Sequence, residues 1–293
     1  MSNSENTQAV QWFPGHMART EKQIAKDLKL ADAVVEIIDA RIPVSSRNPV
    51  LGRIIGQKPR IVLMNKADLA DPEETARWLA VFRADGSGAV AAECKSGKGV
   101  SRLLPQAEAV LSNKIAGWHA KGMAGRKIRL MVVGIPNVGK SSLINRLTGH
   151  SRAAVENRPG VTRANQWFPV GKSAELLDTP GVLWPKFDDP SVGEHLAFTG
   201  AVKDDVLDIE LLARSLLEAL AAAAPDALGH RYRLTSEEIS GADGAALLEL
   251  VARKRGMLAG GGEADTERAA HMLLEEFRSA KIGRITLERV EKP

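Results

Sequence analysis

The stretch Gly134-Ile135-Pro136-Asn137-Val138-Gly139-Lys140-Ser141 constrains this chain most tightly. It follows an apolar run, Ile128 to Val133, and opens a helix-like stretch, Ser142 to Leu147. Strand, Gly-x-x-x-x-Gly-Lys-Ser and helix in that order read as a phosphate loop. Glycines let the backbone curl so that successive N–H groups face an anion, and the helix aims its positive end at the same place. Val138, Gly139 and Ser142 belong to this cradle. Lys140 is placed to reach the β- and γ-phosphates, and the Ser141 hydroxyl to ligate Mg²⁺. The fold class that follows is α/β, with a mostly parallel sheet covered by helices on both faces.

A second apolar run, Arg60 to Met64, ends in Asn65-Lys66-Ala67-Asp68. A carboxylate there accepts two hydrogen bonds from guanine, N1–H and the exocyclic amine, which adenine does not offer in that arrangement. Asp68 therefore selects guanine, Asn65 ties this loop to the phosphate loop, and the Lys66 stem covers the base. A helix over 71–84 follows, with Asp71 as N-cap and Pro72 at its first position, and then a strand, Ala89 to Ala92. Glu93-Cys94-Lys95 stands where GTPases carry a Ser-Ala-Lys loop that reaches the guanine O6 through a backbone N–H. Cys94 replaces the serine, and an ordinary Gly-rich turn is the competing local reading.

Downstream of the phosphate loop, Thr162 lies on a polar loop from which a threonine reaches Mg²⁺ and the γ-phosphate. Glu175-Leu176-Leu177 leads into Asp178-Thr179-Pro180-Gly181, where Asp178 is placed to hold Mg²⁺ through water and the Gly181 N–H to meet the γ-phosphate. These five elements occur in an unusual order. Most GTPases place the guanine motif and the final loop last, whereas here they come first. Rejoining the old termini through a basic, Gly-rich connector, Ala116 to Lys127, preserves the sheet, because termini lie at the surface. The chain after Asp178 then runs directly into the C-terminal part.

Ala33 to Asp39 reads as a further buried strand. Trp12-Phe13-Pro14-Gly15-His16-Met17 reads as an aromatic turn before a polar helix, Arg19 to Leu30. From about residue 205 the chain is Leu- and Ala-rich at helical spacing and predicts a small all-α bundle. Val206 to Ala224, Ser236 to Ile239, Asp243 to Lys254 and Thr266 to Lys281 are its helices, and Gly260-Gly261-Gly262 a flexible loop. The division is 1–204 for the permuted nucleotide domain and 205–293 for the helical one.

Charge follows that division. Residues 1–204 hold 28 Lys and Arg against 20 Asp and Glu, a net +8, and residues 205–293 hold 12 against 16, a net −4. A basic front part suits an anionic partner such as nucleic acid, and equally the cations of a nucleotide site on a solvated surface. Arg253-Lys254-Arg255, Arg278, Lys281 and Arg284 are candidates for an RNA face. One cysteine excludes an internal disulfide framework and suits a reducing cytosol. The first residues carry no signal or transit pattern. The longest low-polarity stretch, Leu211 to Ala224, is short for a membrane span and contains Arg214 and Glu218, so no membrane partner is expected. No long heptad is visible, and the expectation is a monomer.

The permuted order, together with Trp12-Phe13-Pro14-Gly15-His16-Met17, the segment from Asp39-Ala40-Arg41-Ile42-Pro43 to Asn48-Pro49, and the phosphate loop, closely resembles the bacterial ribosome biogenesis GTPase A family. The resemblance covers roughly residues 10–205 and extends more loosely beyond. It implies a cytoplasmic GTPase, with GTP as substrate and GDP as product, acting on a large ribosomal subunit precursor and contacting rRNA and ribosomal proteins. Val182 follows Asp-x-x-Gly where many GTPases keep a water-orienting Gln, so slow intrinsic hydrolysis is expected. The resemblance points to His16 as the replacement, docked near the γ-phosphate by the ribosome. Asn137 resembles the asparagine of GTPases that use K⁺, the alternative being that it only shapes the loop. A GTP-regulated RNA-binding protein without ribosome-stimulated turnover is the competing function.

Overall fold

Runs that are apolar throughout need cover on both sides, and the strands of this chain obtain it. The computed structural model describes residues 14–149, 167–179, 181, 183–184, 189–202, 204 and 207–291, without the side chains of 14–19. Six strands, β1 (Ala33–Asp39), β2 (Arg60–Asn65), β3 (Gly88–Ala91), β4 (Ile128–Val133), β5 (Trp167–Val170) and β6 (Ala174–Asp178), form one sheet. Their order is β3-β2-β1-β4-β6-β5. All pairs are parallel except the edge pair β5–β6.

The period of two sends successive side chains of β1 to opposite faces. Val35 and Ile37 pack with Leu63, Leu130 and Val132 against α4 (Leu103–Val110), α5 (Ser112–Ala120) and α6 (Lys140–Thr148). On the other face, Val34 packs with Met131 against α1 (Pro14–Leu28) and α2 (Pro49–Ile55), while Ile38 packs with Met64 against Phe82 of α3 (Pro72–Ala84). Buried Glu36, on that same strand, is neutralised by Arg47 at 3.0 Å and Arg60 at 3.3 Å.

After α7 (Pro190–Phe198), the C-terminal part comprises α8 (Ile209–Ala223), α9 (Pro225–Tyr232), α10 (Ser236–Ser240), α11 (Gly244–Lys254) and α12 (Thr266–Arg278). Asp208, Asp243 and Asp265 cap their helices, and Thr235 with Glu238 forms a capping box. Leu216, Leu220, Leu248, Leu273 and Phe277 share a core with Ala197 and Phe198 of α7. No helix among the described residues is long and apolar enough to cross a membrane.

Several expectations need correction. The connector, Ala116 to Lys127, begins inside a helix, because α5 continues to Ala120; Trp118 is buried there and Arg126 stacks on it at 4.2 Å. Of the aromatic turn, Pro14 to Met17 are helical, since Pro14 takes the first position of α1, where its missing N–H costs nothing, and Trp12 and Phe13 lie outside the described residues. The Gly260–Gly262 segment is closed by a bridge between Leu258 and Ala264 and by Ala259 N–H donating to the Glu263 carbonyl.

The chain does not stop at α12. Residues 284–290 return to the sheet domain. The Ile285 N–H donates to the Leu69 carbonyl and the Leu287 N–H to the Arg41 carbonyl, while Trp78 donates its indole N–H to the Glu288 carbonyl at 2.8 Å. Glu288 in turn accepts from the Ser45 N–H at 3.0 Å and lies 3.0 Å from His195 Nδ1 of α7.

Candidate functional site

The carboxyl ends of β1, β2, β3, β4 and β6 all face one edge of the sheet, where open α/β folds gather their ligands. The phosphate loop leaves β4 there. Gly134 comes so close to β1 that a Cβ would lie 2.6 Å from the Ile37 carbonyl oxygen. Asn137 adopts φ 57°, a left-handed conformation that Asn tolerates better than most residues. Val138 is buried in the core beneath the loop, and Ser141 and Ser142, both half-buried, lie in the first turn of α6.

Lys140 is buried and donates its ammonium to the carbonyls of Gly134 at 3.1 Å and Ile135 at 2.7 Å. Burial pushes its pKa down to about 8, with Asp178 opposing. Asp178 closes β6 in register with Val132 of β4. Burial raises its pKa, and Lys140 acts against that rise. Gly181 packs over the same lysine: a Cβ on it would sit 2.7 Å from Lys140 Nζ and 2.9 Å from Pro136. The Asp-x-x-Gly segment is thus in contact with the phosphate loop.

Asn65, at the end of β2, joins three loops. Its Nδ2 donates to the Val138 carbonyl at 2.7 Å, and its Oδ1 accepts from the Cys94 N–H at 2.9 Å. Lys66 adopts φ 59° and sends its ammonium to Asp39, 2.9 Å away. Burial raises the Asp39 pKa, but Arg41 and Lys66 outweigh it and hold this carboxyl well below the usual range. Asp68 is exposed and has no ion partner among the described residues. Glu93 accepts from Ser96 Oγ at 2.9 Å and pairs with Lys98 at 3.1 Å, and both interactions lower its pKa. The Lys95 carbonyl accepts from Arg146 of α6, which pins the Glu93-Cys94-Lys95 loop beside the phosphate loop.

Cys94 is buried, and burial pushes its thiol pKa up to about 12. Replacing the usual serine leaves the backbone N–H of this position engaged with Asn65, so the exchange does not disturb the tie between the loops.

Among the described residues, no cluster of three or more His, Cys, Asp or Glu surrounds a metal position. The oxygen donors at hand are the Ser141 hydroxyl, in the first turn of α6, and the Asp178 carboxylate, at the end of β6. Hard, sparse oxygen ligation of this kind fits Mg²⁺, which retains water and takes further ligands from phosphate. Asn137 donates its Nδ2 to the Gly200 carbonyl at 3.1 Å, linking the phosphate loop to the chain just after α7. Thr162, Val182 and the side chain of His16 lie outside the described residues.

The basic residues read as an RNA face have acidic or carbonyl partners within the chain, Lys281 with Glu275 at 4.0 Å among them. Arg278 pairs with Asp204 and donates to the carbonyls of Ala197 and Phe198. Arg253 pairs with Glu249, Lys254 with Glu238 and Arg255 with Glu276. Arg284 donates to the Ala67 and Ala70 carbonyls on either side of Asp68. Sequence reasoning placed Arg284 on an RNA face and not beside Asp68, and it missed the Asp39–Arg41–Lys66 link. Asp39-x-Arg41 at a strand end was the visible signal for the second; nothing local marks the first.

Three comparisons bear on this geometry. Residues 129–220 match a family described as 50S ribosome-binding GTPase. A protein of Priestia megaterium named Ribosome biogenesis GTPase A is 47% identical over 282 residues, covering 95% of this chain and 96% of its own. A protein of the same name from Thermotoga maritima is 31% identical, with 96% and 95% covered. Two solved structures of T. maritima YlqF superpose over 92% of this chain. The GDP-bound one has a TM-score of 0.68 at 28% identity and full coverage of its own length. The GNP-bound one has a TM-score of 0.63 at 27% identity and 98% coverage. The chain belongs to the ribosome biogenesis GTPase A family, GTP-hydrolysing proteins with a circularly permuted phosphate-loop domain.

Proposed function

We propose that this chain is an assembly factor that binds rRNA of a large ribosomal subunit precursor in its GTP state and leaves after hydrolysis, as a cytoplasmic monomer. The observation that carries this reading is the route from nucleotide to helical part. Gly181 rests on Lys140, and the chain then passes within 20 residues to α7, whose Ala197 and Phe198 belong to the helical core. Loss of a γ-phosphate at Lys140 and Gly181 would be transmitted along that route.

In this reading, Val138, Gly139, Lys140 and Ser142 hold the phosphates. Ser141 and Asp178, with Thr162, hold Mg²⁺, which neutralises charge on the transferred phosphoryl group. Asn137 contributes to a K⁺ site. Asn65, Lys66 and Asp68 take the base, and the Glu93-Cys94-Lys95 loop flanks it. Val182 cannot orient water, and His16 supplies that function when the ribosome docks it. Residues 1–204 form the switch, and 205–293 contribute to the RNA contact.

Co-sedimentation with purified large subunits tests the cycle. At one fixed ionic strength, because phosphate contacts are salt-sensitive, the protein should travel with large subunits when loaded with a non-hydrolysable GTP analogue and stay behind with GDP. Equal binding in both states would remove the nucleotide-controlled cycle, and no binding in either would point to another RNA partner.

A further inference from the structure

We infer that Arg284, from the tail that follows the last helix, is a positioning residue for guanine selectivity, acting through the backbone that carries Asp68. This rests on reading Asn65 to Asp68 as the guanine loop.

Backbone carbonyls near a ligand need fixed partners if the side chain between them is to be held still. Around Asp68 those partners can be traced one by one. The Asn65 carbonyl accepts from the Ala40 N–H and the Lys66 carbonyl from the Leu69 N–H. The other three come from the far end of the chain. Arg284 donates Nη2 to the Ala67 carbonyl at 2.9 Å and Nε to the Ala70 carbonyl at 3.0 Å. The Ile285 N–H donates to the Leu69 carbonyl at 3.2 Å, and Thr286 Oγ1 accepts from the Asp71 N–H at 3.1 Å. One planar guanidinium therefore spans the turn that presents Asp68, a two-point grip that an ammonium cannot reproduce. Arg284 also acts electrostatically on Glu93, so its charge is felt on the neighbouring loop of the same site. The strap is anchored on both sides: Ile285 and Thr286 are buried, and the Leu287 N–H reaches the Arg41 carbonyl.

A grip on the Asp68 turn acts on the base, not on the phosphates. Asp68 would bond the exocyclic 2-amino group that inosine lacks, so the ratio of GDP to IDP affinity reports Asp68 placement, and phosphate binding cancels from it. Titration calorimetry on the full chain measures that ratio. Wild type should prefer GDP by roughly tenfold or more, as sites built to bond a polar group reject analogues without it. Arg284→Ala should lose GDP affinity more than IDP affinity and narrow the ratio at least about threefold. Arg284→Lys should narrow it partly. Thr286→Val, which removes the adjoining bond to Asp71 while nearly preserving side-chain volume, should shift the ratio the same way and serves if Arg284→Ala fails to fold. If wild type discriminates but Arg284→Ala and Thr286→Val keep its ratio, losing both nucleotides equally or neither, the positioning role is overturned and the guanine loop stands. If wild type itself does not discriminate, the guanine-loop reading fails and the inference with it.

Discussion

Gly139 lies so close to Asn65 that a Cβ on it would fall 2.2 Å from the asparagine Nδ2. The two belong to different nucleotide elements, one from the phosphate loop and one from the end of β2, and they are packed without room for a methyl group. The glycine is needed for a second reason, its φ of 111°, which L side chains rarely adopt. The phosphate loop and the loop at the end of β2 are therefore packed directly against each other.

Asn65→Ala leaves the Val138 carbonyl and the Cys94 N–H without their partner. The expected cost is about 2–4 kcal/mol of stability, with GDP affinity falling at least about tenfold. Urea denaturation and calorimetry on the same preparation check both. Unchanged values would mean that the loops hold their places without it.

Lys140 predicts a proton linkage. A buried ammonium depressed from 10.5 to about 8 is a stability cost that is full below pH 8 and fades as pH rises toward 10.5, so the free protein should gain stability across that interval. A bound phosphate restores the charge. At pH 8.5, GDP binding should take up on the order of half a proton or more, and the Lys140 share of that uptake should fall away toward about pH 7. Calorimetry in buffers of different ionisation enthalpy measures this directly.

Cys94 should be inert in the folded protein, because burial pushes its thiol up to about 12. A disulfide reagent at pH 7.5 should label it only after unfolding. Cys94→Ser should cost about 1–2 kcal/mol of stability through a buried hydroxyl and leave GDP affinity within about twofold, since the contact to Asn65 comes from the backbone.

How much of this was legible in the sequence depended on the reach of each interaction. β1, β4 and α3 are readable because their signals are local: unbroken apolar runs, and Asp71-Pro72 at a helix start. α2 and β5 are not. Pro49-Val50-Leu51-Gly52 lacks a helical pattern long enough to see, and Pro169 speaks against a strand until β5 is known to be an edge, where a missing N–H is tolerated. The contacts of Asn65, Lys140 and Gly181 follow from motif identity. Arg284 gave no such sign, since its partners stand 214 and 217 residues away. Arg278 misleads for the same reason: it looks like a free cation and is bonded 74 residues upstream, to Asp204.

Asn137 gives its Nδ2 to the Gly200 carbonyl, and its Oδ1 is the amide atom that could take a cation. If K⁺ sits there, GTP hydrolysis should be roughly tenfold faster in KCl than in NaCl, and Asn137→Ala should abolish the difference. Equal rates in the two salts would leave Asn137 only a role in loop shape.

Single-turnover GTP hydrolysis in KCl at constant ionic strength, with and without purified ribosomal subunits, tests the assembly-factor function most directly. Turnover by the protein alone should be slow, large but not small subunits should stimulate it strongly, and His16→Ala should lose that stimulation with nucleotide affinity intact. Turnover that neither subunit changes would contradict that function.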